Sequence, residues 1–282
     1  MQQNLINIKG ELMDLSEPVV MGILNVTPDS FYDKSRKQSE EDIILRVQEI
    51  TEQGGKIIDI GAQSTSPTST LISAKEEIER LDFALKAMTT RYPDAVISVD
   101  TFYSEVARFC VEEYGVAIIN DISGGEIDDK MFDTVAELNV PYILMHMRGM
   151  PQTMNSLTDY DNLQKDIFYY FSEKIAKLRL LGVNNIIIDP GFGFSKNLEQ
   201  NYELMSCLRD FHIFELPLLV GISRKSMIYK LLDISPGESL NGTTVLNTFA
   251  LLNGANILRV HDVKEATETI KIVSCLKKDS VN

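Results

Sequence analysis

Polar residues recur at set places along this chain, each group directly after a short apolar run. The first run ends in Asn25-Val26-Thr27-Pro28-Asp29-Ser30-Phe31, the second in Asp59-Ile60-Gly61-Ala62-Gln63-Ser64-Thr65-Ser66-Pro67, and the third in Asp100-Thr101. Asn120-Asp121, His146-Met147-Arg148, Asp189-Pro190-Gly191-Phe192-Gly193-Phe194, Ser223-Arg224-Lys225-Ser226 and Arg259-Val260-His261 follow the remaining runs. Singly, each has a plain structural explanation, since Asx residues cap helices and Gly and Pro shape turns. Together they bring carboxylates, carboxamides, two of the chain's three histidines and several cations to equivalent positions, a set suited to gripping a polar ligand.

The residue types divide into two kinds of chemistry. Asp100, Asn120 and Asp189 supply acceptors and a donor amide, matching a flat heterocycle with amino and ring N–H groups beside ring acceptors. Lys225 can donate to a ring carbonyl, and the planar guanidinium of Arg259 can stack on the ring face. Asn25, Thr65, Arg259 and His261 form a second set, fit for phosphate oxygens or for a hard cation such as Mg²⁺. A ring pocket beside an anion pocket implies a ligand with both parts. Arg224 reads as one half of a structural ion pair rather than a ligand contact.

What must position these residues is a repeating frame. The apolar runs VVMGIL (19–24), KIIDI (56–60), AVISV (95–99), VAII (116–119), VPYILM (140–145), NIIID (185–189), LPLLVGI (216–222) and ANILRV (255–260) read as strands buried on both faces, as a parallel sheet requires. Helical patterns lie between them. Ser39-Glu40-Glu41-Asp42 and Ser73-Ala74-Lys75-Glu76 fit capping boxes, and a long helix is expected from Thr158 to a C-capping Gly182. Eight strands alternating with helices predict an α/β protein, a (β/α)₈ TIM barrel, whose chemistry sits at the carboxyl ends of its strands. Leu5 to Leu15, turning at Lys9-Gly10, is expected to be a hairpin closing the barrel bottom.

Composition sets the outer limits. At 282 residues the chain is long for one ordinary domain, but a (β/α)₈ barrel of about 250 residues is one unit, and no linker or low-complexity stretch divides residues 1–282. Lys+Arg 27 against Asp+Glu 41 gives a net charge of −14, which argues against a nucleic-acid partner but not against a small anion held by local cations. Cys110, Cys207 and Cys275 are scattered without metal or disulfide spacing. Without a basic, apolar leader pattern at the N-terminus or a run of about 18 apolar residues, the reading is a cytoplasmic protein with no membrane segment.

With these residues in view, a family is recognisable. MGILNVTPDSF (21–31), SVDT (98–101), IND (119–121), HMRGMPQTM (146–154), DPGFGF (189–194), SRKS (223–226) and RVHDV (259–263) closely resemble, in order, the motifs of the dihydropteroate synthases. The resemblance implies a pterin-binding barrel that joins 6-hydroxymethyl-7,8-dihydropterin diphosphate to p-aminobenzoate, releasing diphosphate in folate synthesis. It implies that Asp100, Asn120, Asp189 and Lys225 bind the pterin edge, that Arg259 stacks on it, and that Met145 and Phe194 line its pocket. Asn25, with Mg²⁺, and Thr65, Arg259 and His261 would take the diphosphate. Two loops would order over the substrates, bringing Phe31 and Pro67 to the p-aminobenzoate and Asp33 to the cationic centre, with Ser226 near the carboxylate. Asp33, Lys225, Asn25 and His261 would thus carry the catalysis, in a homodimer formed through the last helices.

One departure stands out. Where the family reads Gly-Gly-Glu-Ser-Thr-Arg-Pro-Gly, this chain has Gly61-Ala62-Gln63-Ser64-Thr65-Ser66-Pro67-Thr68, so Ser66 replaces a phosphate-binding arginine. Lys34 and Arg36 are the replacements expected by charge. The competing readings are a pterin-dependent methyltransferase of the same barrel type, which needs no diphosphate site, and a non-catalytic pterin-binding homologue. Sulfonamide sensitivity depends on loop shape around Phe31, Asp33, Ser66 and Pro67.

Overall fold

The computed structural model describes residues 4–26, 36–63 and 70–278, with the backbone alone for 36–39 and 277–278. Eight parallel strands make a ring. β3 (Val19–Asn25) pairs on one side with β4 (Ile57–Gly61), and from there the sheet runs through β5 (Ile97–Asp100), β6 (Ile118–Asp121), β7 (Tyr142–Met145) and β8 (Ile186–Asp189). On its other side β3 pairs with β10 (Ile257–Val260), and β10 with β9 (Leu219–Val220). A parallel bridge between Ile188 and Leu218 joins the two ends and closes the barrel.

Helices follow the strands and cover the outside: α1 (Arg36–Glu52), α2 (Ala74–Arg91), α3 (Ser104–Tyr114), α4 (Met131–Leu138), α5 (Leu163–Leu180), α6 (Leu198–Ser206), α7 (Ser226–Leu232), α8 (Leu240–Leu252) and α9 (Val263–Lys278). Every residue of β4, β6, β7 and β8 is buried, because helices cover one face and the packed barrel interior the other. Local signals set several boundaries. Ser73 caps α2 by accepting from the Glu76 N–H at 3.3 Å, Asn162 caps α5 through Lys165, and Asn197 and Gln200 form a reciprocal capping box on α6.

Three expected boundaries move. α1 starts at Arg36, upstream of the Ser39 capping box. α5 starts at Leu163, because Asn162 rather than Thr158 caps it, and Gly182 follows the Leu181 C-cap. The run LPLLVGI is a continuous strand only over Leu219–Val220, preceded by the single Ile188–Leu218 bridge in which Pro217 can accept but has no N–H to give, and Gly221 onward already turns into the mouth.

The hairpin β1 (Leu5–Ile8) and β2 (Glu11–Asp14) turns on Lys9 and Gly10, both at positive φ, the geometry of a two-residue primed turn. Its Ile6 and Ile8, with Leu15 just after it, pack on Met21, Ile57, Ile118, Ile143, Ile187, Leu219 and Ile257, which seals the end of the barrel where the strands begin. Asn256 Nδ2 donates to the Leu15 carbonyl at 2.9 Å and ties the plug to β10.

Candidate functional site

At the opposite end lies a cavity of about 500 Å³, lined by Asn25, Asp100, Asn120, Met145, Asp189, Phe194, Lys225, Arg259 and His261 among others. Seven strand ends or the turns after them therefore bring the expected residues together. A charged lattice holds them. Arg259 donates from Nε to Asp59 Oδ2 at 2.6 Å and from a terminal nitrogen to Asp100 Oδ2 at 2.8 Å, while Asn120 Nδ2 donates to the same Asp59 oxygen at 3.0 Å. Asp59 is fully buried, with its second oxygen unpartnered among the described residues, and it works from within β4 to fix the Arg259 plane and the Asn120 amide.

The floor is the turn after β8. The Gly191 N–H donates to Asp189 Oδ1 at 2.8 Å and aims that carboxylate. Gly191 has φ +72°, and a Cβ there would stand 2.1 Å from the His146 carbonyl oxygen, so only glycine fits. Lys225 enters from the turn after β9. Arg224 takes a left-handed φ of 56°, its N–H donating to Thr243 Oγ1 at 3.1 Å, and the chain then directs Lys225 Nζ to the Phe192 carbonyl at 2.6 Å and to 4.7 Å from the Phe194 ring centre. The Arg224 side chain binds Asp262 through two nitrogens, at 2.5 and 2.9 Å, as the expected ion pair.

Burial tunes the titrating groups. It raises Asp100 to about 7; Arg259 opposes this, and the neighbouring Asp59 and Asp121 add to it. Burial likewise raises Asp189, against the pull of Lys225. It lowers Lys225 to about 8, with Asp189 opposing and Arg259 assisting. Burial works against the Arg259 charge too, but Asp59 and Asp100 outweigh it and keep the guanidinium protonated. His261 is open to solvent on one side, yet the protein around its ring, and then Arg259, push it down to about 4, which keeps it neutral.

A pterin binding enzyme family model matches residues 21–261. The dihydropteroate synthase of Escherichia coli K12 is 43% identical over 267 residues, covering 94% of each chain. The chain belongs to the dihydropteroate synthases. Among solved structures, a dihydropteroate synthase of Yersinia pestis in a sulfonamide complex superposes with a TM-score of 0.89 at 38% identity, over 97% of this chain and 99% of that one. A dihydropteroate synthase of Clostridium difficile, solved in the presence of pteroic acid, superposes with a TM-score of 0.87 at 32% identity, over 93% and 97%.

Within this family member, not every expected residue reaches the cavity. Ser226, the first residue of α7, is absent from the lining. His146 follows Met145 on β7, and strand alternation sends it to the other side, where its Nδ1 lies 3.1 Å from the buried Lys196 Nζ. That Nζ also donates to the Gly191 and Phe194 carbonyls, bracing the floor from behind. Arg148 stacks on Tyr160 and pairs with Asp166, away from the cavity. Phe31, Asp33, Lys34, Thr65, Ser66 and Pro67 lie outside the described residues, as does the Arg36 side chain.

One role went unread in the sequence, and one buried acid stands apart from the cavity lining. Asp59 sits inside an apolar run, and its only signal is being a charge in a buried strand. Glu77 on α2 is fully buried, with neither carboxyl oxygen hydrogen-bonded among the described residues. Burial pushes it up to about 8; the nearby Thr101 hydroxyl and Arg80 pull down without a hydrogen bond of ordinary geometry, and Asp100 pushes further up.

Proposed function

We propose that the cavity seats 6-hydroxymethyl-7,8-dihydropterin diphosphate and that p-aminobenzoate displaces its diphosphate, giving 7,8-dihydropteroate. The observation that carries this reading is the convergence of Asp100, Asn120, Asp189 and Lys225 on one cavity whose rim holds Asn25 and His261. Asp189 and the Asp100 oxygen that does not meet Arg259 accept from the amino and ring N–H groups, Asn120 meets ring donors and acceptors, and Lys225 donates to the ring carbonyl. Arg259, pinned edge-on by Asp59 and Asp100, offers a guanidinium face for stacking, with Met145 and Phe194 as apolar walls.

Asn25, His261 and Arg259 take the diphosphate, joined by Thr65. Among the described residues no three His, Cys, Asp or Glu side chains gather as metal ligands, which does not fit a protein-built metal cage. The Asn25 carboxamide oxygen is the kind of hard, neutral donor that would hold a Mg²⁺ ion beside the diphosphate. When bound, that ion supplies charge neutralisation to the leaving diphosphate. As the exocyclic C–O bond breaks, the electron-rich dihydropterin carries the cation and Asp33 stabilises it. The p-aminobenzoate, placed by Phe31 and Pro67 with Ser226 outside the pterin cavity near its carboxylate, then forms the C–N bond through its amine and releases the amine proton to solvent.

The working unit is a homodimer in the cytoplasm. Exposed apolar side chains on the neighbouring helices α7, α8 and α9, among them Leu231, Val245, Phe249 and Ile272, favour a shared face. No helix among the described residues is long and apolar enough to cross a membrane, and all three cysteines are free.

The decisive experiment is turnover of dihydropterin diphosphate with p-aminobenzoate, with and without Mg²⁺. Diphosphate release that needs Mg²⁺ and falls roughly tenfold to a hundredfold in Lys225→Ala, the worth of one charged hydrogen bond, supports the reading. Absence of p-aminobenzoate-dependent diphosphate release in the wild type overturns it.

A further inference from the structure

We propose that Ser223 fixes His261 as a neutral imidazole with its proton on Nε2, and that Ser223 and Arg46 are positioning residues that aim this N–H at the diphosphate. The inference rests on the reading of His261 as a diphosphate contact and specifies how it serves.

The hydrogen-bond accounting around Ser223 decides the tautomer. The His261 backbone N–H donates to Ser223 Oγ at 3.1 Å, and the same Oγ lies 3.1 Å from His261 Nδ1. Ser223 is 4% exposed, and its hydroxyl has no other partner among the described residues. A hydroxyl carries one proton. If Nδ1 were protonated, Oγ would accept twice and its own proton would be buried without an acceptor, which is costly. With Nδ1 bare, Oγ accepts from the backbone and donates to the ring, so every group is satisfied. The neutral ring then holds its proton on Nε2, which has no partner among the described residues.

Arg46 fixes the third point. From α1 it donates to the His261 carbonyl at 2.7 Å and to the Ile23 carbonyl at 3.3 Å, and it pairs with Glu49 at 2.5 Å. It therefore spans the carboxyl ends of the paired strands β3 and β10, directly behind Asn25 and His261. Arg46, Asn25, Arg224 and His261 also share a second cavity of about 390 Å³ that adjoins the first. Arg259, Arg224 and Arg46 all oppose a charged imidazole here, and only Asp262 favours one. His261 is thus a hydrogen-bond donor to the departing diphosphate and passes no proton to it.

The test uses the full chain with ¹⁵N-labelled histidines, His261 being assigned by His261→Gln. Long-range ¹H–¹⁵N correlation at neutral pH is expected to give a bare Nδ1 and a protonated Nε2 in the wild type, and a mixed tautomer in Ser223→Ala. The KM for the pterin diphosphate rises about tenfold in Ser223→Ala and in Arg46→Gln, the scale of one charge-assisted hydrogen bond, while the KM for p-aminobenzoate holds within about twofold. Arg46→Gln keeps the wild-type tautomer, because Ser223 remains. A protonated Nδ1 in the wild type, or Ser223→Ala with both KM values unchanged or raised equally, overturns the proposal. A wild type with the expected His261 signals but no turnover overturns the diphosphate reading and leaves the tautomer standing.

Discussion

Asp100 and Lys225 face one ligand with opposite requirements. The pterin contacts proposed above need Asp100 as a carboxylate and Lys225 as an ammonium, and burial brings the first up to about 7 and the second down to about 8. Below pH 7 Asp100 takes a proton and loses an acceptor; above pH 8 Lys225 loses the proton it donates. The kcat/KM for the pterin diphosphate is therefore expected to peak between these values, because that parameter reports the free enzyme. Asp100→Asn removes the acid limb while lowering the maximum. A profile flat from about pH 5.5 to 9.5 in the wild type refutes this assignment. A second prediction concerns the missing loop cation. Ser66→Arg lowers the KM for the pterin diphosphate by about tenfold, and Lys34→Ala or Arg36→Ala raises it if either residue has taken over the charge. Steady-state kinetics at fixed p-aminobenzoate measures both.

At the scale of elements, the turn after β8 is the least replaceable piece. Gly191→Ala is expected to lower stability by about 2 kcal/mol or more and to abolish pterin binding, since its Cβ collides with the His146 carbonyl and its N–H aims Asp189. Gly182→Ala is the matched control: φ is +87° but nothing lies within 4 Å of the added Cβ, so about 1 kcal/mol and no activity are lost. Thermal melts and pterin titration separate the two. The same elements indicate what was readable beforehand. Strand ends were legible because an apolar run that stops at polar residues marks the mouth of a barrel, and so Asn25, Asp100, Asn120, Asp189, Lys225 and Arg259 were found. Side-chain direction was not, because it alternates along a strand: Met145 faces the cavity and the adjacent His146 faces Lys196. Asp59 and Ser223 stand among the polar strand-end residues, but their roles were not legible, because their partners, Arg259 and His261, lie 200 and 38 residues away and only the closed ring brings them together. The strand after α6 is shorter than its apolar pattern, because Pro217 has no N–H with which to extend the ladder upstream of Leu218.

Across the whole molecule, the barrel separates the end that holds it together from the end that does chemistry. Leu15→Ala empties a fully buried site in the hairpin plug, so it is expected to cost about 2–5 kcal/mol and to lower the melting temperature while kcat/KM at 25 °C stays within about twofold. The surface at large is anionic, yet Lys225 and Arg259 converge on the mouth, so anionic substrates are met by local cations despite the net charge of −14. The fully buried acid on α2 has a consequence for handling this protein. Glu77 binds its proton more tightly when folded, near 8 against 4.5 when unfolded, so the stability this contributes is complete below about pH 4.5 and is lost as pH climbs through 8. Alkaline buffers should shorten shelf life, and Glu77→Gln should flatten that decline; parallel denaturant titrations of both proteins at pH 6 and pH 9 would reveal it.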